Sequence, residues 1–263
     1  MYEIIGYSCA LLIGITLGLI GGGGSILTVP VLVYILGIDP TLATAYSLFV
    51  IGVSALVGTL KNLKRGNIDV KTGLIFSAPS FIAVYYTRRI IVPAIPQEIV
   101  SIGKYSLSKE TGIMLFFAII MLLASISMIR GRKDKKVVKQ RIFNYPVIMI
   151  EGLFVGALTG LVGAGGGFLI IPVLVLLTGL PMKKAVGTSL MIIAIKSLIG
   201  FTGDLSTTLK IDWALLSLFS ALSIIGMGIG LYLNKYIEGA KLKKAFGYFV
   251  LVMALFVLTK ELI

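Results

Sequence analysis

The sequence predicts an all-α polytopic membrane protein built from two inverted repeats, each with a Gly-broken or re-entrant segment and three transmembrane helices. The first supporting observation is composition. Of the 263 residues, 57% are hydrophobic and 13% are charged, whereas soluble domains carry about 25% charged residues. A soluble fold of this length could not bury so much apolar surface, so the composition indicates a bilayer. The other two observations are a duplicated glycine pattern and the placement of the basic residues.

Apolar stretches follow one another along the whole chain. They cover residues 4–36, 42–60, 72–93, 112–129, 146–178, 185–202, 212–234 and 245–259. A transmembrane helix needs about 20 mostly apolar residues. The first and fifth stretches are too long for one simple span and contain the glycine runs, so we interpret the remaining stretches as ordinary spans.

The segment GITLGLIGGGGSILTVPVLVYILG, Gly14 to Gly37, recurs in the second half of the chain as GALTGLVGAGGGFLIIPVLVLLTG, Gly156 to Gly179. Chance similarity between apolar segments does not align seven Gly and Pro positions, so the chain contains two copies of one unit. This predicts a first membrane repeat, a basic cytoplasmic linker and a second membrane repeat, at residues 1–129, 130–144 and 145–263. Duplicated membrane halves are typical of transporter folds.

The residues also carry a family resemblance. In both halves a Gly-x-Gly-Gly pattern precedes an apolar run with a proline, and AYSL or GTSL opens the next segment. This pattern resembles the TauE/SafE sulfite exporter family, also described as four-toluene sulfonate uptake permeases, over essentially the whole chain. The resemblance implies a multi-pass carrier in a bacterial or archaeal plasma membrane. It also implies a substrate class of small sulfur-containing anions, such as sulfite or organosulfonates.

The basic residues predict how the chain crosses the membrane. If all the apolar stretches cross, about 13 Lys and Arg lie inside and about 10 outside. If the first and fifth stretches instead enter and leave on one side, the balance becomes about 17 inside and about 6 outside. The second arrangement follows the positive-inside rule better. It places both termini outside. Each half then crosses the membrane three times, so the second half has the opposite orientation in the membrane to the first.

The glycine runs predict a binding site. Glycine lets the backbone turn sharply at membrane depth, and Pro30 and Pro172 would disturb the returning helices. Irregular backbone at that depth needs a protein or cavity environment, where free N–H groups can bind an anion. Close packing of helices through small residues is the alternative. The predicted substrate-binding residues of these runs are Gly21, Gly22, Gly23, Gly24, Ser25, Gly163, Gly165, Gly166 and Gly167.

Lys196 lies in the apolar stretch LMIIAIKSLIG. A charge at the bilayer centre costs about 2.5–3.5 kcal/mol or more, so Lys196 should face the protein interior. We predict that it balances the charge of an anionic substrate. The alternatives are a buried pair with Glu151 and a side chain that snorkels to the interface.

Three hydroxyl residues open the second segment of each half, next to the glycine runs. Ser47, Thr188 and Ser189 are predicted to bind the substrate, although helix capping explains the same residues equally well. Asn62 and Asp204 are interpreted as loop residues. For Arg88 and its neighbour Arg89 we favour a solvated helix end over an anion contact at the outer mouth.

Several function classes are disfavoured. The chain has no histidine and one cysteine, Cys9, which predicts no disulfide within the chain, no metal site and no cofactor. No nucleophile–base pair indicates an enzyme, and no Gly-Lys-Ser/Thr follows the glycines as nucleotide binding would require. The net charge is +13, but the basic residues lie between apolar runs, which argues against nucleic-acid binding.

The sequence therefore predicts a secondary transporter, in the direction of export, whose partners are a small anion and the lipid bilayer. A homodimer is left open. The rival interpretations are a carrier of another substrate, such as a metal cation, and a membrane assembly or sensor protein without transport.

Overall fold

The fold is known from a computed structural model, which describes residues 2–102, 105–130, 145–163, 165–167, 170, 171, 174, 178–205, 211–234, 236 and 239–262. Most of the basic linker, residues 131–144, lies outside the described residues, and so does Pro172. The cytoplasmic location of the linker and the effect of Pro172 on the second returning segment therefore stay predictions.

The described part of the chain is almost entirely helical. Its long helices are α1 (Tyr2–Ile20), α2 (Pro40–Lys64), α3 (Val70–Tyr86), α4 (Lys109–Arg130), α5 (Tyr145–Val162), α6 (Met182–Leu205), α7 (Trp213–Leu233) and α8 (Gly239–Leu262). Helix α3 contains Pro79 and continues through a π-helical turn, Thr87–Ile91, into the short helix Val92–Ala94. Two short antiparallel strands, β1 (Glu98–Ile102) and β2 (Tyr105–Ser108), pair between α3 and α4.

Four of the described helices are long and apolar enough to cross a membrane, judged by length and composition. They are Pro40–Lys64, Lys109–Ile126, Lys183–Leu205 and Trp213–Leu233. Shorter apolar helices are Ile5–Ile20, Gly24–Ile35 and Pro146–Val162. These elements confirm the all-α polytopic membrane class.

Aspartates fix the first residues of three helices. The carboxylate of Asp39 accepts hydrogen bonds from the backbone N–H groups of Thr41 and Leu42, at 2.8 and 3.2 Å. Asp69 and Asp212 cap α3 and α7 in the same way. Each carboxylate satisfies backbone donors that a helix start leaves without an intrahelical partner.

The first glycine run reverses the chain. Gly21 and Gly22 have φ of +75° and +151°, and a 3₁₀ turn, Gly23–Leu27, follows. A Cβ atom placed on Gly24 would lie 2.8 Å from the backbone oxygen of Ile13, and one placed on Gly6 would lie 2.5 Å from Cδ2 of Leu36. The returning segment therefore runs back along α1. It ends near the N-terminal end of α1, where Gly6 meets Leu36. The first stretch is a Gly-broken hairpin, as predicted.

The second glycine run repeats part of this local geometry. Gly163 has a φ of +71°, and its N–H bonds to the oxygen of Thr159 at 2.8 Å, as Gly21 does to Leu17 at 2.7 Å. A second hydrogen bond recurs at equivalent positions further along the two copies, where each returning segment ends. It joins Ile38 N to Leu32 O at 3.0 Å, and Leu180 N to Leu174 O at 3.2 Å. The two copies therefore share their backbone conformation at these points. Between these points they differ, because Gly165 and Gly166 have positive φ values and their equivalents, Gly23 and Gly24, do not.

The halves pack on each other through matching helices. Helix α1 packs on α7, and α5, the counterpart of α1, packs on α3; α2 packs on α6, and α4 on α8. Glycines allow the first two contacts, because a Cβ atom on Gly14 would lie 2.8 Å from the backbone nitrogen of Met227, and one on Gly156 would lie 2.9 Å from Cα of Ser80. The small-residue interpretation thus holds for these helix glycines.

Single residues at equivalent positions of the two halves also make matching contacts across the bundle. The N–H of Asp69 donates to the hydroxyl of Thr188 at 2.9 Å, and the N–H of Asp212 donates to that of Tyr46 at 2.5 Å. Tyr46 and Thr188 occupy equivalent positions in the aligned copies, and so do the glycines at 58 and 200, which meet Leu190 and Leu48 respectively. Each half therefore contacts the other through equivalent positions.

Candidate functional site

The two glycine turns meet inside the bundle. A Cβ atom on Gly22 would lie 2.6 Å from Cα of Gly167, so the two backbones touch with no room for a side chain. On either side, Gly21 packs on Val186 and Gly163 packs on Thr44, which are again equivalent positions. The structure thus brings the predicted glycines of both halves to one buried place.

Only part of the glycine run adopts a conformation that requires glycine. Besides Gly21, Gly22 and Gly163, the positive φ values in these turns belong to Gly165 and Gly166, at +62° each. Gly24 lies in the 3₁₀ turn and presses against α1 instead. The reason for glycine there is therefore close packing.

Two of the predicted hydroxyls hold the first turn in place. Ser25 donates to the carbonyl oxygen of Gly22 at 2.7 Å, and Ser189 donates to that of Gly21 at 2.5 Å. Both side chains are buried. The Gly22 oxygen also accepts the backbone N–H of Ser25 at 3.3 Å. The two hydroxyls therefore add hydrogen bonds to the carbonyl groups of the turn and help to hold its backbone in this conformation.

The other two predicted hydroxyls lie differently. Thr188 accepts the N–H of Asp69, so its oxygen is used at the start of α3 and not at a glycine turn. Ser47, the equivalent of Ser189, is fully buried, and its hydroxyl has no hydrogen-bond partner within the described part of the chain. A buried hydroxyl without a partner is costly and uncommon, and the donor of Ser47 is unused among the described residues.

Lys196 lies against the second glycine turn. Its side chain is fully buried, and its Nζ donates to Oγ1 of Thr159 at 3.1 Å. A Cβ atom on Gly166 would lie 2.7 Å from this Nζ, which shows how closely the turn approaches the amine. An ammonium group has three donors, and among the described residues Thr159 is the hydrogen-bond partner of Nζ.

The two alternatives for Lys196 do not match the structure. Its complete burial excludes snorkelling to an interface. Among the described residues no salt bridge joins Lys196 to Glu151. Among the described side chains, the partner of the buried amine is therefore the neutral hydroxyl of Thr159.

A buried ion pair was not predicted from the sequence. Arg88 is 0% exposed, and its Nε lies 2.9 and 2.8 Å from the two carboxylate oxygens of Asp204. Its Nη1 donates to the hydroxyl of Thr44 at 2.8 Å and to the oxygen of Gly160 at 3.2 Å. The favoured solvated helix end at Arg88 and the loop at Asp204 were both wrong.

Asn62 is likewise buried within α2, where its side-chain amide donates to the oxygen of Gly58 at 2.9 Å. A signal for these residues was present in the sequence. Asp204 follows Lys196 by two helical turns in one apolar segment, and apolar residues continue after Arg88 and Arg89. Charges inside an apolar segment need partners from other helices.

The described residues offer no metal site, since no group of three or more His, Cys, Asp and Glu side chains lies together among them. Backbone turns, hydroxyls and a buried ammonium group favour an anion over a cation. Apolar helices, two glycine turns and a buried charge at their meeting point define a polytopic membrane transporter.

Comparison with known proteins agrees with this class. The chain belongs to the sulfite exporter TauE/SafE family, whose model matches residues 7–257. It is 28% identical over 262 residues to a probable membrane transporter protein of Xylella fastidiosa (strain 9a5c), covering 95% of this chain and 92% of that protein. It is 30% identical over 218 residues to the probable membrane transporter protein YunE of Bacillus subtilis (strain 168), covering 72% and 73%.

A third relative is the probable membrane transporter protein MJ0441 of Methanocaldococcus jannaschii, 34% identical over 117 residues, which covers 42% of this chain and 43% of that protein. No solved structure gives a significant match. The family and the names of the relatives indicate a membrane transporter rather than an enzyme.

Proposed function

We propose that this protein is a secondary transporter that exports small sulfur-containing anions, sulfite or organosulfonates, by alternating access. The observation that carries the proposal is the fully buried Nζ of Lys196 beside Gly166, where the second glycine turn meets the first. The description of the family as sulfite exporters supports the same substrate class.

The chemistry of the site follows from desolvation. A buried ammonium group loses its hydration, and one hydroxyl, that of Thr159, replaces only part of it. An entering anion restores the balance, because a charge-assisted hydrogen bond in a low-dielectric site is strong. A metal cation would be repelled by the same group, which disfavours the rival carrier.

The halves are proposed to be inverted repeats in the plasma membrane, each with three crossings and one hairpin. The reciprocal contacts of α1 with α7 and of α5 with α3 support a two-fold relation between them. In this topology the Arg88–Asp204 pair lies towards the outside and the basic linker lies in the cytoplasm. Alternating access then requires one half to move against the other around the glycine turns.

The contact between the turns suits such a motion. Gly22 and Gly167 meet backbone to backbone, so no interlocked side chains have to be withdrawn when the hairpins separate. The predicted donors around this point, including Ser47, would then face the opened space. The chain has no nucleotide-binding motif, so an ion, proton or anion gradient supplies the driving force in this proposal.

Flux measurements with purified protein in vesicles test the proposal. The solutes are sulfite, sulfate, thiosulfate, sulfoacetate and taurine, with empty vesicles as the reference. We expect protein-dependent flux of sulfite or of an organosulfonate, and loss of that flux in Lys196→Met. The matched control is Ser54→Ala, which changes the equivalent position of the first half and should retain flux. Absence of flux for every solute would favour the assembly or sensor interpretation.

A further inference from the structure

Helices α3 and α6 run in parallel and share a seam with a regular register. Val84 meets Gly200, where a Cβ atom would lie 2.9 Å from Cγ2 of the valine, and one turn later Arg88 binds Asp204. One turn before the Val84–Gly200 contact, the same register places Ser80 of α3 beside Lys196 of α6. The seam therefore runs from the level of Lys196 to the buried ion pair.

Three serines of α3 and α6 are buried without a hydrogen-bond partner in the described part of the chain. Ser77 is 2% exposed, and Ser80 and Ser197 are 0% exposed. Ser77 and Ser80 share one face of α3 with Val84 and Arg88, because these positions are separated by three or four residues. Most buried hydroxyls in proteins are paired, so three unpaired ones on the two helices of this seam require an explanation.

The equivalent seam, between α7 and α2, shows how close these positions are. Asp69 and Asp212 cap α3 and α7, so these two helices correspond residue by residue when the two aspartates are aligned. Ser223 is then the equivalent of Ser80, and it bonds to Ser54, hydroxyl to hydroxyl, at 2.9 Å.

Since Ser54 is the equivalent of Lys196, the same pairing of positions places Ser80 and Lys196 opposite each other across the α3–α6 seam. In the α3–α6 seam, however, the amine of Lys196 bonds to Thr159, and the hydroxyl of Ser80 is left without a partner among the described residues. An ammonium group and an unpaired hydroxyl therefore lie side by side, each with donors to spare.

We propose that Ser77, Ser80 and Ser197 donate hydrogen bonds to the charged end of the transported anion, and that Lys196 supplies the balancing charge. This inference rests on the proposed function and assigns it a recognition site. The arrangement fits a head group with several oxygen acceptors, such as sulfite or the sulfonate end of a larger molecule. A halide offers a single acceptor atom and should bind more weakly.

Alanine substitutions separate this role from a structural one. A hydroxyl that stabilises the fold lowers the melting temperature when it is removed, whereas removal of an unpaired buried hydroxyl leaves it unchanged or raises it. Ser77→Ala and Ser80→Ala in the full-length protein in detergent should therefore keep their melting temperature. Each should raise the Kd for sulfite or sulfoacetate, measured by calorimetry, by about tenfold or more, since hydrogen bonds to charged groups are strong.

The chain offers a matched control. Ser220, the equivalent of Ser77, is also buried without a partner in the described residues, but its seam has Ser54 in place of Lys196. Ser220→Ala should bind sulfite and sulfoacetate as the wild type does. Chloride, titrated in parallel, should bind the wild type more weakly than either anion.

Each outcome decides the inference. Wild-type affinity in both Ser77→Ala and Ser80→Ala would overturn it, and so would an equal loss in Ser220→Ala or a fall in melting temperature without a change in Kd. In those cases the proposed function still stands if Lys196→Met abolishes binding. A wild-type protein that binds neither sulfite nor sulfoacetate would overturn both.

Discussion

The guanidinium of Arg88 and the carboxylate of Asp204 form a salt bridge inside the helix bundle, with Nε 2.8 Å from one carboxylate oxygen. The two residues are far apart in sequence and belong to different halves of the chain. The hydroxyl of Thr44 accepts a further hydrogen bond from Arg88. Thr44 also packs on Gly163 through its backbone and Cβ. The ion pair therefore ties α2, α3 and α6 together next to the second glycine turn.

Breaking this ion pair should destabilise the protein strongly. Arg88→Met removes the charge that pairs with the buried carboxylate of Asp204, and breaking a buried ion pair typically costs about 3–5 kcal/mol. Thermal unfolding in detergent should show a large fall in melting temperature for Arg88→Met and a partial recovery when Asp204→Asn is added. The matched control is Arg89→Met, because Arg89 is exposed and bonds to Tyr85 of its own helix. Equal melting temperatures for the two arginine variants would contradict this prediction.

The contact between the glycine turns should be essential for transport. Gly22→Ala places a methyl group against the backbone of Gly167, and such overpacking costs about 1–3 kcal/mol, enough to change a rate on the order of tenfold or more. Flux in vesicles should fall accordingly, while the protein still accumulates in the membrane.

Gly37→Ala is the control for the turn. Gly37 also has a positive φ, +67°, but a Cβ atom there would meet nothing within 4 Å. It should lose only about 1–2 kcal/mol of stability from backbone strain and keep its flux. If both variants transport equally well, the Gly22 contact has no role in the cycle.

Replacing Lys196 by methionine should weaken anion binding and spare the fold. Methionine keeps most of the side-chain volume and removes a desolvated charge, and charge-assisted hydrogen bonds contribute roughly 1.5–3 kcal/mol. Calorimetry with sulfite or sulfoacetate should therefore show a Kd at least about tenfold higher. Glu151→Gln should leave the binding and the melting temperature of the protein unchanged, since Glu151 forms no salt bridge with Lys196. A loss of stability in both variants would instead revive the ion-pair interpretation.

Site-directed labelling tests the orientation predicted from the basic residues. In a Cys9→Ala background, a cysteine introduced at Asp134 of the linker should react with an impermeant maleimide only after the cells are opened. A cysteine placed after Ile263 should react in intact cells. Labelling of the linker from outside would reverse the proposed orientation and place the Arg88–Asp204 pair towards the cytoplasm.

Much of the fold could be predicted because its causes are local. The length of the apolar stretches predicted the long helices, and the duplicated glycines predicted the reversal of the first stretch, which the positive φ values of Gly21 and Gly22 bear out. The predicted site was less complete. Ser25 and Ser189 hold the turn, and Thr188 bonds to Asp69 at the start of α3. The sequence pattern could not distinguish a hydroxyl that holds the turn from one that bonds at the start of a helix, because the same residue types serve both roles.

The sequence by itself determined that this chain enters a membrane, that it is duplicated and that it breaks at glycines. Hydrophobicity, repetition and the conformational freedom of glycine act over short stretches of chain and need no partner. Only the tertiary structure decided which groups meet across the bundle. It joined Arg88 to Asp204, set Lys196 beside Thr159, and left Ser77 and Ser80 unpaired among the described residues. The partner of a buried charge depends on the register between helices that are distant in sequence, and no single segment contains that information.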